Sequence, residues 1–317
     1  MKNLLVRRDL RDAPERQTAT APAEPKSAWG LGEGDEVSPG LTALRLLGGG
    51  ERYEAYLAWD ERLLSLVVAK VLRPGRVGDQ NARDAMAAEA AMLRRLRHPV
   101  IVRAFDVVTD GERPHLVLEH VNGPRLSTLI RTSAIALDQT LSLGLQVSSA
   151  AHYMSTRDVV HLDIKPQNII MSGPARLIDL SVAKRGDELA GMTSPIGTTK
   201  YMAPEQADPD LFDELGPATD VWGIGVTLYW TLAKGSPFPV PSHEASASKE
   251  LRYPQLVRAP APLPTGTPSK LAALIGDMLA PRAADRPTAA EVHTALEPLA
   301  AALPRPQLAR FRVPKRK

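Results

Sequence analysis

A polar stretch between two apolar, β-forming runs carries most of the groups in this chain that could do chemistry. Residues 159–183 read VVHLDIKPQNIIMSGPARLIDLSVA, in which Asp163 and Lys165 stand two positions apart and Asn168 follows five positions after Asp163. A second carboxylate, Asp179, comes after a short predicted strand pair that turns at Ser-Gly-Pro. Polar groups gathered between strands predict an active-site loop. The alternative is that Asp163 and Asn168 only cap turns between short strands.

A glycine run and a lysine inside a predicted strand indicate an anion-binding site nearer the N-terminus. Gly48, Gly49 and Gly50 lie between two predicted strands, where backbone amides can approach an anion because no Cβ intervenes. A hairpin turn would also use such glycines. Lys70 lies in the apolar run VVAKVL and needs an anionic partner if it is buried. Glu89, in the stretch AMAAEAAML, can supply that charge, although it could equally lie on a solvated helix face.

Taken together, these motifs resemble those of the protein kinases. Residues 159–183 are similar to the pattern H-x-D-x-K-x-x-N followed by D-φ-G, and residues 203–205 read A-P-E. The resemblance covers about residues 40–302, with all motifs in the family's order. A composition rich in Ala, Arg and Pro looks like that of the eukaryotic-like (Hanks-type) bacterial members. Lys165 followed by Pro166 fits the Ser/Thr rather than the Tyr pattern.

The resemblance implies a role for each polar side chain in phosphoryl transfer, a reaction that depends on positioning and charge neutralisation. Lys70 would hold the α- and β-phosphates of ATP, and Glu89 would lock Lys70 in place. Asp163 would orient the substrate hydroxyl and accept its proton, while Lys165 would neutralise the transferred phosphoryl group. Two residues would bind Mg²⁺, or Mn²⁺ in its place, namely Asn168 and Asp179.

The resemblance also implies the nucleotide contacts. Adenine would lie between two lobes, hydrogen-bonded to the backbone of Glu119 and Val121. The full set of implied ATP contacts is Leu47, Gly48, Gly49, Gly50, Ala55, Val68, Lys70, Leu118, Glu119, Val121, Asn168, Ile170 and Asp179. As scaffold, Asp220 would accept hydrogen bonds from catalytic-loop amides, and Arg286 would pair with Glu205.

The chain departs from the kinase pattern at several positions. Tyr53 replaces the third glycine of G-x-G-x-x-G, which predicts a stiffer loop and a weaker affinity for ATP. Leu162 replaces the Arg of H-R-D, so we predict activity without activation-loop phosphorylation. Ser181 replaces the Gly of D-F-G, which predicts restricted flipping of that motif. Ala55 and Val68 exchange the small and the larger residue over adenine, so the slot should keep its volume.

The composition predicts a soluble globular protein. The chain has 317 residues, 44% hydrophobic and 24% charged, which is enough apolar material for one large domain or two lobes. Its longest apolar run, residues 221–233, is well short of the roughly 18 residues that span a membrane. No apolar stretch follows the basic N-terminal residues, so we expect a cytoplasmic protein. A net charge of only +3 gives no reason to expect nucleic-acid binding.

The local patterns predict an α+β chain with a two-lobed protein-kinase fold. A first lobe over residues 40–121 would hold a five-stranded antiparallel sheet and one helix at 81–97, and residues 122–303 would form a mainly helical lobe. Residues 1–39 combine charge with Ala, Pro and Thr, which predicts a flexible arm. Residues 304–317 form a basic tail, a candidate contact for acidic partners.

The sequence therefore favours an ATP-dependent protein serine/threonine kinase whose partners are protein substrates modified on Ser or Thr. A pseudokinase or nucleotide-binding scaffold is the alternative, because of Tyr53, Leu162 and Ser181. A small-molecule phosphotransferase is a third interpretation, which the A-P-E segment and Lys165 disfavour. The charged residues themselves favour activity, since buried charges destabilise a fold unless they are paired or used.

Overall fold

An antiparallel sheet forms the first lobe of the computed structural model, which describes residues 28–192, 194–210, 215–242, 244 and 246–303. Its strands are β1 Glu36–Ser38, β2 Leu41–Gly49, β3 Tyr53–Asp60, β4 Ser65–Leu72, β5 Ala104–Val108 and β6 His115–Glu119. Their spatial order is β1-β2-β3-β4-β6-β5. Two short strand pairs follow in the second lobe, β7 Val159–Val160 with β10 Lys184–Arg185, and β8 Ile169–Ile170 with β9 Arg176–Leu177.

The sheet has six strands rather than the five that we predicted, because β1 pairs with β2. The predicted arm is correspondingly wrong over residues 28–39. Within that polar segment, Val37 is buried, and Trp29 and Leu31 pack with it on one face of the sheet. The Trp29 indole Nε1–H also donates a 2.6 Å hydrogen bond to the carbonyl of Leu72. Residues 1–27 of the arm, and the basic tail at 304–317, lie outside the described residues.

Helices make up most of the second lobe, so the predicted α+β architecture with two lobes is confirmed. The first-lobe helix, α1, begins at Gln80 and ends at Arg95, two residues before the predicted end. The other helices are α2 Leu126–Thr132, α3 Leu137–Ser155, α4 Gly186–Leu189, α5 Pro204–Ala207, α6 Pro217–Ala233, α7 Lys249–Arg252, α8 Ser269–Met278 and α9 Ala289–Ala301. Short 3-10 turns occur at Pro74–Arg76, Pro166–Asn168, Pro254–Leu256 and Ala283–Asp285.

The apolar helix α6 is the centre of the second lobe and packs against α3 and α8. Helix α3 approaches α6 and α9 closely at Gly144, where a Cβ would lie 2.8 Å from Leu296 Cδ1 and 3.3 Å from Leu228 Cδ1, so these side chains would have to shift. Among the described residues, no helix is both long and apolar enough to cross a membrane.

A buried ion pair joins α5, which precedes α6, to the connection between α8 and α9. Arg286 donates to both carboxylate oxygens of Glu205, at 2.7 and 2.8 Å, and neither side chain is exposed to solvent. Thr219 donates a further hydrogen bond of 2.8 Å to Glu205, and the guanidinium lies 4.9 Å from the centre of the Trp222 ring. The predicted contact between Arg286 and Glu205 is therefore present.

We predict that Arg286→Ala lowers the free energy of unfolding by about 3–5 kcal/mol, because it leaves the Glu205 carboxylate buried without its countercharge. Urea unfolding followed by circular dichroism measures this loss. A matched variant, Lys270→Ala, removes an exposed cation from α8 and should change stability by less than about 0.5 kcal/mol. Equal stability of the two variants would contradict the prediction.

Candidate active site between the lobes

A buried lysine links the sheet, the helix of the first lobe and the second lobe. Lys70 on β4 donates to both carboxylate oxygens of Glu89 on α1, at 2.9 and 2.8 Å. It also donates to Oδ1 of Asp179, just beyond β9, at 2.9 Å. The Lys70 side chain is 12% exposed and the Glu89 side chain 1%. One ammonium group is thus shared between two carboxylates from different parts of the chain.

The two carboxylates determine the ionisation of this cluster. Burial alone would lower the pKa of Lys70, but the charges of Glu89 and Asp179 outweigh it and raise that pKa above its usual value. Burial alone would raise the pKa of Asp179, yet the Lys70 ammonium holds it well below its usual range. At neutral pH, Lys70 is therefore a cation and Asp179 an anion.

The aromatic ring of Tyr53 lies against the same ammonium group. Tyr53 is the first residue of β3, and Lys70 Nζ is 4.7 Å from the centre of its ring. Burial raises the pKa of the Tyr53 hydroxyl above its usual value, so the phenol is neutral at physiological pH. The sequence predicted that a tyrosine at this position alters the glycine loop. The structure shows that the tyrosine ring also contacts the ammonium group of Lys70.

The glycine run forms the end of β2 and the start of the turn to β3, and we call residues 48–52 the glycine turn. Gly48 has φ = +148°, a conformation that an L side chain rarely adopts. A Cβ on Gly49 would lie 2.8 Å from the carbonyl oxygen of Tyr53, so this position has no room for a side chain. The Gly50 amide donates to that same carbonyl at 2.9 Å, which closes the turn. Leu47 immediately precedes the turn, in β2.

The residues expected around adenine lie on neighbouring strands. Ala55 is opposite Lys70 in the register of β3 and β4, and Val68 is opposite Leu118 in the register of β4 and β6. Because side chains on one face alternate, Ala55 and Val68 lie diagonally on the face that carries Lys70. Glu119 ends β6 and bonds Arg103 with its side chain at 3.1 Å. The other two residues expected here are Val121, which follows β6, and Ile170, which lies in β8.

Three polar side chains converge on the catalytic-loop carboxylate, Asp163: those of Thr198, Lys165 and Asn168. Its Oδ1 accepts a hydrogen bond from the hydroxyl of Thr198 at 2.8 Å, and its Oδ2 accepts from Lys165 at 2.5 Å. Lys165 also reaches the Thr198 hydroxyl, at 2.5 Å. Asn168 donates through Nδ2 to the backbone carbonyl of Asp163 at 3.0 Å and to Oδ2 at 3.1 Å. These contacts fix the direction of the Asp163 carboxylate.

A divalent cation fits the pair that the resemblance implied. Asn168 uses its Nδ2 toward Asp163, so its amide oxygen is available to a cation. Among the described residues, donors reach Asp179 through Oδ1, from Lys70 and from the Ser181 amide, which leaves Oδ2 available. The backbone amide of Ile178 donates to the backbone carbonyl of Asn168 at 2.8 Å. This bond brings Asn168 close to Asp179, the residue after Ile178. Hard oxygen ligands of this kind suit Mg²⁺.

Buried polar groups hold the backbone of the catalytic loop. The Asp220 carboxylate accepts hydrogen bonds from the amides of His161, at 2.8 Å, and Leu162, at 2.9 Å, as we expected. Gln206 donates from Nε2 to the carbonyls of Leu162 at 2.8 Å and Ile196 at 2.9 Å. Sequence reasoning missed Gln206, because a single glutamine after A-P-E carries no signal of a partner 44 residues away.

The residue that replaces the motif's arginine is buried in an apolar cluster. Leu162 has φ = +64° and is 3% exposed, and it packs with Val160 and Leu189. Four partly buried apolar residues complete this cluster. Three follow Asp179 in the same segment, Val182, Met192 and Ile196, and the fourth is Leu215. The segment is further attached where β10 pairs with β7. Apolar contacts, rather than a charged pocket, therefore join the segment to the catalytic loop at this position.

Comparisons with known proteins agree with this geometry. A family model described as "Protein kinase domain" matches residues 41–295. The serine/threonine-protein kinase PknA of Mycobacterium tuberculosis is 32% identical over 243 residues, 73% of this chain and 54% of that protein. PknB of Mycolicibacterium smegmatis is 30% identical over 218 residues, 65% of this chain and 34% of that protein.

An animal protein is similar at a comparable level. Aurora kinase B of Danio rerio is 29% identical over 220 residues, which cover 67% of this chain and 68% of that protein. The chain spans about half the length of the mycobacterial PknA that it matches. Since the family model covers most of the sequence and the site has the corresponding arrangement, the chain belongs to the protein kinase family.

Proposed function

We propose that this protein is a serine/threonine protein kinase that transfers the γ-phosphoryl group of ATP to protein hydroxyl groups. The observation that carries the proposal is the position of Lys70, which contacts both Glu89 and Asp179 at 2.8–2.9 Å. In protein kinases, the strand lysine must pair with the helix glutamate and the metal-binding aspartate must be in place for phosphoryl transfer. Similarity to serine/threonine kinases of other bacteria supports the same activity.

The chemistry divides among residues of the two lobes. Lys70 binds the α- and β-phosphates, and Glu89 keeps the Lys70 ammonium in position. Asp163 accepts the proton of the substrate hydroxyl, since the bonds from Thr198, Lys165 and Asn168 leave one of the four acceptor positions of its carboxylate. Lys165, bonded to Asp163 Oδ2, neutralises charge on the transferred phosphoryl group.

ATP with a divalent cation is the cofactor that we propose, with Mg²⁺ as the cation and Mn²⁺ able to replace it. Asn168 and Asp179 would hold the ion, which supplies charge neutralisation at the phosphates when it is bound. The geometry of Asp179 supports this assignment, because its donors among the described residues reach Oδ1 and leave Oδ2 for a cation. A cytoplasmic location remains a prediction from the sequence.

A transfer assay with radiolabelled ATP and Mg²⁺ tests the activity, on the protein itself and on a generic protein acceptor. We expect Asp163→Asn and Lys70→Met to lower the rate by about 10²–10⁴-fold, because each removes a charge used in the transition state. Asp110→Asn removes a carboxylate that is 94% exposed and should retain full activity. Label incorporated equally by all variants would contradict the proposal.

A nucleotide-binding scaffold without transfer activity is the second candidate, and the position of Tyr53 favours it. The ring lies over the ammonium group that would bind phosphates, so ATP must displace this contact. A cation–π contact is worth about 0.5–2 kcal/mol, which is small against the binding energy of a nucleotide. Tight ATP binding by a protein that transfers no label in the assay above would favour the scaffold.

We predict that Tyr53→Gly binds ATP about five- to tenfold more tightly than the wild type, because the Lys70 ammonium then meets the phosphates without competition from a ring. Isothermal titration with ATP and with adenosine measures the effect, and adenosine should bind both proteins equally. Tyr53→Phe keeps the ring and should behave as the wild type. Unchanged or weaker ATP binding by the glycine variant would contradict this explanation.

We also propose that the activity does not depend on phosphorylation of the segment after Asp179. The apolar cluster around Leu162 supports this, because apolar side chains make the contacts between the segment and the catalytic loop. A cation at position 162 could pair with a phosphate, whereas a leucine cannot. The direct contacts of Thr198 with Asp163 and Lys165 likewise form with an unmodified hydroxyl.

Substitution of the segment's hydroxyl residues tests this independence. We expect a Thr193→Ala, Ser194→Ala double variant, and the wild type after phosphatase treatment, to keep at least about half of the activity. Thr193 lies outside the described residues, and Ser194 is exposed. Thr198→Ala should lose most activity through its contact with Asp163, and Thr198→Ser should retain it. Inactivity of the double variant with an intact fold would contradict the proposal.

A further inference from the structure

A connected set of side chains joins the segment before the kinase domain to the glycine turn. The family model begins at residue 41, whereas Trp29 already packs on the sheet. Between Trp29 and the turn lie two charged residues that no motif of the family explains, Glu54 on β3 and Arg73 just after β4. Their side chains form an ion pair of 2.9 Å, with the Glu54 side chain 3% and the Arg73 side chain 16% exposed.

Arg73 lies directly against the glycine turn. Its Nε–H donates a 2.7 Å hydrogen bond to the carbonyl of Gly50. A Cβ built on Gly49 would be 3.1 Å from Arg73 Nη2, so the guanidinium fills the space beside the turn. The Arg73 backbone amide donates to the carbonyl of Arg52 at 2.9 Å. Arg73 therefore donates hydrogen bonds to two carbonyls of the turn, those of Gly50 and Arg52, and its guanidinium occupies the space beside Gly49.

Fixing the Gly50 carbonyl also fixes the direction of the next amide. In a planar trans peptide the C=O and the following N–H point in opposite directions. The N–H of Glu51 must then point away from the Arg73 guanidinium. Glycine turns of kinases cover the phosphates, and an amide direction held in advance lowers the entropy lost when an anion binds.

Glu54 in turn holds Arg73, and both of its carboxylate oxygens accept hydrogen bonds. Oε1 accepts from Arg73, while Oε2 accepts from the Tyr56 hydroxyl at 2.7 Å and from the Trp29 backbone amide at 3.2 Å. Burial, together with the Glu54 bond, raises the pKa of Tyr56 to about 12. The Trp29 ring is held by its bond to Leu72 and by the Arg113 guanidinium, 5.0 Å from the ring centre.

We propose that Arg73 is a positioning residue for the phosphate-binding turn, that Glu54 orients it, and that Trp29 is the part of the preceding segment that keeps Glu54 in place. Residues 28–38 thereby support the phosphate-binding turn through Glu54 and Arg73, although they lie outside the match to the kinase family. The proposal rests on the nucleotide binding proposed above but not on phosphoryl transfer, so it is tested by binding alone.

The test compares ATP with adenosine, which lacks the phosphates, by isothermal titration of full-length variants. Arg73→Met should weaken ATP binding about tenfold, since it removes charge-assisted hydrogen bonds to the turn and to Glu54, while adenosine binding changes less than about twofold. Arg62→Met is the matched control. It removes an arginine, 62% exposed, whose partner across the same sheet is Asp106 at 3.3 Å, and it should bind both ligands as the wild type does.

Trp29 is tested through its coupling to Arg73. Trp29→Ala should weaken ATP binding in the same direction by about two- to fivefold, because water then reaches Glu54 and loosens its hold on Arg73. The double variant Trp29→Ala, Arg73→Met should bind ATP no more weakly than Arg73→Met alone, since both residues act through one contact. Thermal unfolding of each variant identifies the temperature range in which all of them are folded.

Three results would overturn the proposal. Arg73→Met could weaken ATP and adenosine equally, which indicates general damage to the lobe, or it could leave ATP binding unchanged. The effects of the two substitutions could also add, which indicates that Trp29 acts independently of Arg73. The wild type could also transfer no phosphate while Arg73→Met still weakens the binding of ATP and not that of adenosine. That result would support the positioning role and contradict the kinase activity.

Discussion

The charge on Lys70, taken out of water, is the constraint on which the rest of the structure depends. An ammonium group in the interior is tolerated only where anions replace its hydration. Here the anions come from α1, through Glu89, and from the segment after β9, through Asp179. A movement of α1 away from the sheet, or of one lobe from the other, would leave a buried charge unpaired. The pairing of Lys70 with both carboxylates therefore favours the arrangement in which α1 and the two lobes are assembled.

A second constraint acts on the backbone of the catalytic loop. Leu162 has a left-handed conformation, which disfavours a leucine by about 1–2 kcal/mol. Its amide bonds the buried Asp220, its carbonyl bonds Gln206, and its side chain is covered by apolar neighbours. Each contact compensates part of the strain. The same three contacts also position the next residue, Asp163. The contacts that hold Leu162 in its strained conformation therefore fix the place of the Asp163 carboxylate as well.

Local patterns were enough to predict the antiparallel sheet of the first lobe, the helix α1 and an anionic partner for Lys70, whereas the roles of the other site residues came from the resemblance and stay predictions. These features follow from periodicity, from propensity and from the need of a buried charge for a partner. Trp29 and Gln206 could not be predicted, because their contacts join positions 43 and 44 residues apart and leave no periodic trace. A segment of charged residues, Ala and Pro predicts a flexible arm even when it contains one tryptophan. Only the structure shows the sheet that Trp29 covers.

Two departures from the family pattern, Leu162 and Tyr53, change contacts at the active site. Leu162 exchanges a contact that would require a phosphate for one that requires only apolar packing. Tyr53 instead adds a contact, on Lys70, at the place where the nucleotide phosphates would bind. In the proposed kinase, the first change makes assembly of the catalytic loop independent of modification, and the second makes nucleotide entry compete with a side chain of the protein. Control of this enzyme would then lie mainly at the nucleotide site, where Arg73, Glu54 and Tyr53 all meet the same glycine turn.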